Sequence, residues 1–107
     1  MTKMKTYILT YYRGYDKGEK LVSAASIGNL RARIAAYLLS KNRDVRITDI
    51  KAEELTADGR KVLGTMKLDY DKGYGTPNYG KPVWIVRKNG QSVWYHVDRK
   101  TGDIREY

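Results

Sequence analysis

The chain is 107 residues long, with 21 Lys and Arg against 12 Asp and Glu, one His and no Cys, for a formal net charge of +9 at pH 7. That length makes a single domain, 1–107, and the residue types exclude disulfides and thiolate metal sites; His96 alone cannot supply the imidazoles of a zinc site, so no metal or cofactor is expected. The longest apolar stretch, Ile34 to Leu39, is far below the roughly 20 residues of a membrane-spanning helix and nothing resembles an export signal, so a cytoplasmic protein with no membrane role is expected.

Met4 to Arg13 (MKTYILTYYR) is rich in Tyr, Thr and Ile with little punctuation, which predicts a first strand. Gly14 to Gly18 reads as a turn and Lys20 to Ala25 as a short extended piece, leading to Ser26, a good N-cap residue type. From Ile27 the apolar positions Leu30, Ile34, Tyr37 and Leu38 recur at helical spacing, and the cationic Lys41 and Arg43 flanking Asn42 suit the negative end of a helix dipole. A helix is predicted from Ile27 to Lys41. Ala32, Ala35 and Leu39 widen its apolar stripe until only Asn29, Arg33, Ala36 and Ser40 remain as a polar arc. So wide a stripe calls for more than one neighbour: the sheet together with the Gly14 to Lys20 loop, or a second copy of the chain in a homodimer.

Val45 to Ala52 and Lys61 to Tyr70 read as two strands joined by a turn at Ala57-Asp58-Gly59, the second with Val62, Gly64, Met66, Leu68 and Tyr70 on one core face. Gly73 to Lys81 (GYGTPNYGK) is a long loop dense in Gly, Pro and Asn. Lys81 to Lys88 and Gln91 to Asp98 flank Asn89-Gly90, the pair best suited to a two-residue type I′ hairpin, and Thr101-Gly102 turns the chain into a last short strand, Asp103 to Tyr107. The expected order is β-α-β-β-β-β-β, an α+β domain with a single helix packed on a curved antiparallel sheet.

The Asn89-Gly90 turn also assigns faces. A two-residue turn sets Val86 against Val93 and Trp84 against Tyr95 on a core face, and Arg87 against Ser92, Ile85 against Trp94 and Val83 against His96 on the other. A four-residue connection, Arg99 to Gly102, then sets Val97 against Ile104 and His96 against Arg105, with Trp94 against Tyr107. The second face therefore gathers Arg87, Trp94, His96, Arg105 and Tyr107. Flat aromatic surfaces beside positive charge are the mixture that stacks bases and holds phosphates. The same residues also fit a small second core, with Trp94 and Ile85 under the Gly73 to Lys81 loop.

No catalytic constellation is marked. His96 and Asp98 alternate on one strand with no nucleophile tied to them, Glu53-Glu54 reads as a solvated charge pair, and Gly73-Tyr74-Gly75 lacks the Lys-Ser or Lys-Thr and the helix of a nucleotide loop. Val93 to Ile104 (VWYHVDRKTGDI) resembles the closing hairpin of PepSY modules, whose last strands carry a similar V-D-x-x-T-G pattern. The resemblance implies a helix wrapped by an antiparallel, cystatin-like sheet. With a net charge of +9 the expected partner is polyanionic. The first expectation is a small basic non-catalytic module that binds nucleic acid through the aromatic and basic sheet face, helped by the loop cations Lys17, Lys72 and Lys81. The alternative is a protein-binding inhibitor or adaptor acting on a nucleic-acid enzyme, and third comes a small basic ribonuclease toxin working with Arg, Lys and Tyr alone.

Overall fold

Ser26 begins the helix as expected: it stands in extended conformation and its side chain accepts a hydrogen bond from the Asn29 N–H at 3.2 Å. Helix α1 then runs Ile27–Leu39, ending where the Ser40 N–H bonds back to the Tyr37 carbonyl at 3.1 Å. The computed structural model describes residues 4–41, 44–71 and 73–107, so the expected contribution of Arg43 beside Asn42 lies outside the described residues. Among the described residues no helix is long and apolar enough to cross a membrane.

The strands are β1 (Lys5–Arg13), β2 (Asp16–Ala24), β3 (Ile47–Thr56), β4 (Gly59–Leu68), β5 (Pro82–Lys88), β6 (Gln91–Val97) and β7 (Ile104–Glu106). They form one antiparallel sheet in the order β2-β1-β3-β4-β5-β6-β7. The α+β class and the helix on an antiparallel sheet are as the sequence predicts. The element order gains a strand, because the turn and short extended piece after β1 are in fact a nine-residue strand, paired from Lys5↔Ala24 to Arg13↔Asp16. Its charged residues concealed it: β2 is an edge strand, and Asp16, Lys17, Glu19 and Lys20 suit a rim that must not recruit further strands.

The core lies between α1 and one sheet face. Leu30, Ile34, Ala35 and Leu38 are buried against Tyr7, Ile50, Ala52, Met66 and Trp84. Trp84, 1 % exposed, is the largest of them, and the Arg31 guanidinium carbon lies 5.8 Å from its ring centroid. Its indole sets a condition on β4: a Cβ at Gly64 would stand 2.6 Å from Trp84 Cε2, and Gly64 has φ +152°, a conformation that side chains disfavour. The ladder shifts register here, between Ala52 and Glu53 opposite Gly64 and Val62. A bulge of this kind changes which face the following residues occupy. The predicted core face of β4 is therefore corrected at both ends. Val62 stands opposite Glu53 and is 60 % exposed, while Leu63 packs on the core; Tyr70 lies beyond the strand and is also exposed. Glu53, expected in solvent, is buried on the face away from the helix.

The turn after β6 reaches the start of α1, where Arg31 Nε donates to the Gly102 carbonyl at 2.7 Å. Two substitutions test this packing by denaturant unfolding. Ile34→Ala should lower stability by about 2 to 5 kcal/mol, as large-to-small core changes do. Gly64→Ala should cost more than about 1 kcal/mol, because the added methyl meets both the indole and an unfavourable φ.

Candidate nucleic-acid interface

The hairpin that carries the candidate face forms as its turn residues require. Asn89 has φ 52° and Gly90 φ 80°, the positive pair of a type I′ turn, and Lys88 pairs with Gln91 across it. The register follows, with Trp84↔Tyr95 and Val86↔Val93 on the helix side and Val83↔His96, Ile85↔Trp94 and Arg87↔Ser92 on the outer side. Beyond the next turn Val97 pairs with Ile104 and His96 with Arg105, and the Tyr107 N–H bonds to the Trp94 carbonyl at 3.0 Å. Arg87, Trp94, His96, Arg105 and Tyr107 thus share one face.

That turn is built by side chains. The Asp98 carboxylate accepts from the Lys100 and Thr101 N–H groups at 2.8 and 3.3 Å, and Thr101 Oγ1 accepts from the Asp103 N–H at 3.2 Å. These backbone bonds hold the Asp98 carboxyl below its usual pKa. Asp98 is committed to the turn and does not orient His96.

The aromatic members of the face are locked to one another. The Tyr107 ring stacks on His96 with centroids 4.4 Å apart and meets Trp94 edge-on at 5.8 Å. Lys67 Nζ lies 4.4 Å from the Trp94 ring centroid and 3.9 Å from the Asp71 carboxylate. Beneath them Val83 is fully buried, and Trp94 and His96 are half-buried. A small second core therefore exists on this face, and its lid is Tyr107.

What holds the lid is Asp69. It is fully buried, its Oδ2 accepts from the Tyr107 hydroxyl, and its Oδ1 accepts from the Asp71 N–H at 2.9 Å. Its own N–H donates to the Lys81 carbonyl at 2.8 Å and its carbonyl accepts from Gly80, which closes the base of the long loop. Within that loop Tyr79 meets both Tyr70 and Tyr74 edge-on, at 5.1 and 5.5 Å. Sequence reasoning missed Asp69 and Lys67 altogether. Asp69 carried no local signal, since its partner Tyr107 lies 38 positions away.

Around this platform stand the cations. Arg87, Arg105 and Lys81 form no ion pair among the described residues, although Arg60, Arg46, Arg13, Lys5 and Lys67 all do. Lys81, His96 and Arg105 line one groove of about 390 Å³ at the loop end of β5 to β7, together with Asn78, Asp98 and Asp103. Arg87 stands at the opposite, hairpin end. Lys17 points to the same side of the sheet but lies on β2, at the far edge from β7, so the fold does not bring it into the cluster. Lys72 lies outside the described residues.

The Tyr107 phenol is pushed up to about 12, first by desolvation and then by the hydrogen bond and negative charge of Asp69. Because its folded pKa exceeds the unfolded value near 10, this contribution to stability is complete below pH 10 and is lost as pH rises through about 12. Burial raises the Tyr7 phenol as well, so the test is a comparison: in ultraviolet titration Tyr107→Phe should lose one late-ionising tyrosine relative to the parent protein, and it should be less stable at neutral pH. Compared with known proteins, the chain matches no family, no curated protein and no solved structure, so the meaning of the interface rests on its own residues.

Proposed function

We propose that this protein is a non-catalytic binding module that holds nucleic acid on the outer face of β5, β6 and β7. The observation that supports this reading best is the placing of Arg87, Arg105 and Lys81. Three cations with no ion pair among the described residues border a packed aromatic platform in a chain of net charge +9. Cations engaged with carboxylates have little left to offer a phosphate, whereas free ones release counterions when a polyanion docks. The platform keeps their spacing constant. From the pairing, Arg87 and Arg105 are four residues apart along the strands and two strands apart across the sheet, roughly 16 Å. A short run of single strand laid across that diagonal would meet Arg87 first, the rim of Trp94 next, and Arg105 with Lys81 last. A cytoplasmic location goes with this reading.

A second reading, a protein-binding inhibitor or adaptor acting on a nucleic-acid enzyme, draws on the other half of the same face. Leu21, Ile8, Glu53 and Val62 form one cross-strand row there, and Leu21 and Val62 are 65 % and 60 % exposed. Apolar side chains left open on a sheet face suit contact with another protein.

The two readings differ in their response to salt. Anisotropy titrations of a labelled single-stranded oligonucleotide should give binding that weakens steeply and regularly as salt rises. Arg87→Ala and Arg105→Ala should each reduce the magnitude of the log–log salt slope by about 0.7. Trp94→Ala, which removes part of the platform and no cation, should lower affinity with little change of slope. Trp84 is buried in the main core, so a change in intrinsic fluorescence on titration reports Trp94. Absence of binding at low salt removes the nucleic-acid reading and leaves the protein-partner reading in its place.

A further inference from the structure

A second site lies on the opposite side of the sheet, and it does not depend on the nucleic-acid reading. Between helix α1 and the β1–β2 hairpin a cleft of about 360 Å³ remains. Leu9, Tyr11 and Val22 line it from the strands and Leu30, Ile34 and Tyr37 from the helix. Its shape is fixed at one end by Tyr11. The ring lies across Gly18 on the neighbouring strand, so closely that a Cβ there would stand 2.5 Å from Tyr11 Cε2. The ring is backed in turn by Arg13, whose guanidinium carbon lies 5.8 Å from the centroid.

The polar residues of the cleft are of one sign. Arg13, Lys20 and Arg33 line it, and no Asp or Glu does. Arg13 is paired with Asp44 at 2.9 Å, and Arg33 Nη1 donates to the Ser23 carbonyl at 2.7 Å, leaving further guanidinium donors. Lys20 forms no ion pair among the described residues. It pairs with Leu9, and the alternation along β2 places it with Val22 and Ala24 on the helix side of the sheet, where a third apolar residue would be expected. An aliphatic trough with a cationic rim complements one kind of small molecule, an apolar chain ending in an anion.

We propose that the cleft between α1 and the β1–β2 hairpin binds a medium-chain alkyl carboxylate, with its chain among Leu9, Val22, Leu30 and Ile34 and its carboxylate at Lys20 and Arg33. The chain displaces water from apolar wall, and the head group supplies the charge that Lys20 lacks. The volume is at the small end of ligand pockets, which suits one such chain better than a peptide segment.

Calorimetric titration of the intact protein with sodium octanoate, decanoate and dodecanoate, each below its micelle-forming concentration, tests the proposal. Affinity should rise about fourfold for each added methylene, the ratio for one buried CH₂. Decanol should bind more weakly than decanoate, and Lys20→Glu should weaken decanoate about tenfold while leaving decanol unchanged. Val22→Trp should block both ligands by filling the trough. Since Lys20 is exposed, its variant keeps the test valid even if the Trp variant unfolds. Methyl resonances of Leu9, Leu30 and Ile34 should shift on titration. The proposal is overturned by the absence of saturable dodecanoate binding up to about 1 mM, by equal affinity in Lys20→Glu, by shifts confined to Leu21, Leu55 and Val62 on the other face, or by binding to anionic phospholipid vesicles without binding of the free carboxylate.

Discussion

Asp69 has no exposed surface, yet four hydrogen bonds converge on it, from Tyr107, Asp71 and Gly80 and out to Lys81. A buried carboxylate is costly unless its oxygens are satisfied, and here each oxygen has a donor. The arrangement couples three segments. It closes the hairpin between β4 and β5 across the long loop, starts the loop's first turn, and draws the C-terminal aromatic ring over His96 and Trp94. Remove the carboxylate and the Tyr107 hydroxyl loses this acceptor, which loosens the tie between the base of the long loop and the ring that covers the outer face.

The proposed interface depends on that lid because it separates two jobs that a single aromatic residue often does at once. Tyr107, His96 and Trp94 fill space and keep Val83 dry, while Arg87, Arg105 and Lys81 remain open around them. Three of the chain's cations thus border one packed aromatic surface. Lys67 belongs to the platform rather than the rim, since its ammonium sits over the indole and near Asp71.

Local chemistry made the C-terminal half of the fold readable. Asn89-Gly90 dictates a turn with two positive φ values, that turn dictates the register, and the register places five residues on one face. Ser26 and the spacing of Leu30, Ile34 and Leu38 likewise define the helix. The failures have physical causes. The charged first half of β2, Asp16 to Lys20, read as a turn and loop while only Lys20 to Ala25 read as extended, because an edge strand is under pressure to look unlike a strand. The face of β4 was misjudged at Val62, because a bulge that admits the Trp84 ring breaks a period-two pattern that no short window can see broken. The burial of Glu53 under the long side chain of Arg60, 3.8 Å away, depends on a neighbour brought in by the β3–β4 pairing. Asp69 was silent for the same reason, its role being defined by Tyr107 and not by its neighbours in sequence.

The contact between Arg31 and the Gly102 carbonyl joins positions 71 residues apart, and it has a kinetic consequence. The β5–β6 hairpin and the helix are local and can form early. The helix cannot be fastened at its first turn until the segment after β6 arrives, and β1 cannot receive β3 until the intervening helix has been spanned. Closing so long a loop loses entropy before the contact repays it, so this fastening follows the pairing of consecutive strands. A β1–β2 hairpin formed ahead of the rest of the sheet would expose the β2 edge, where the charges of Asp16, Lys17, Glu19 and Lys20 disfavour pairing with other copies of the chain.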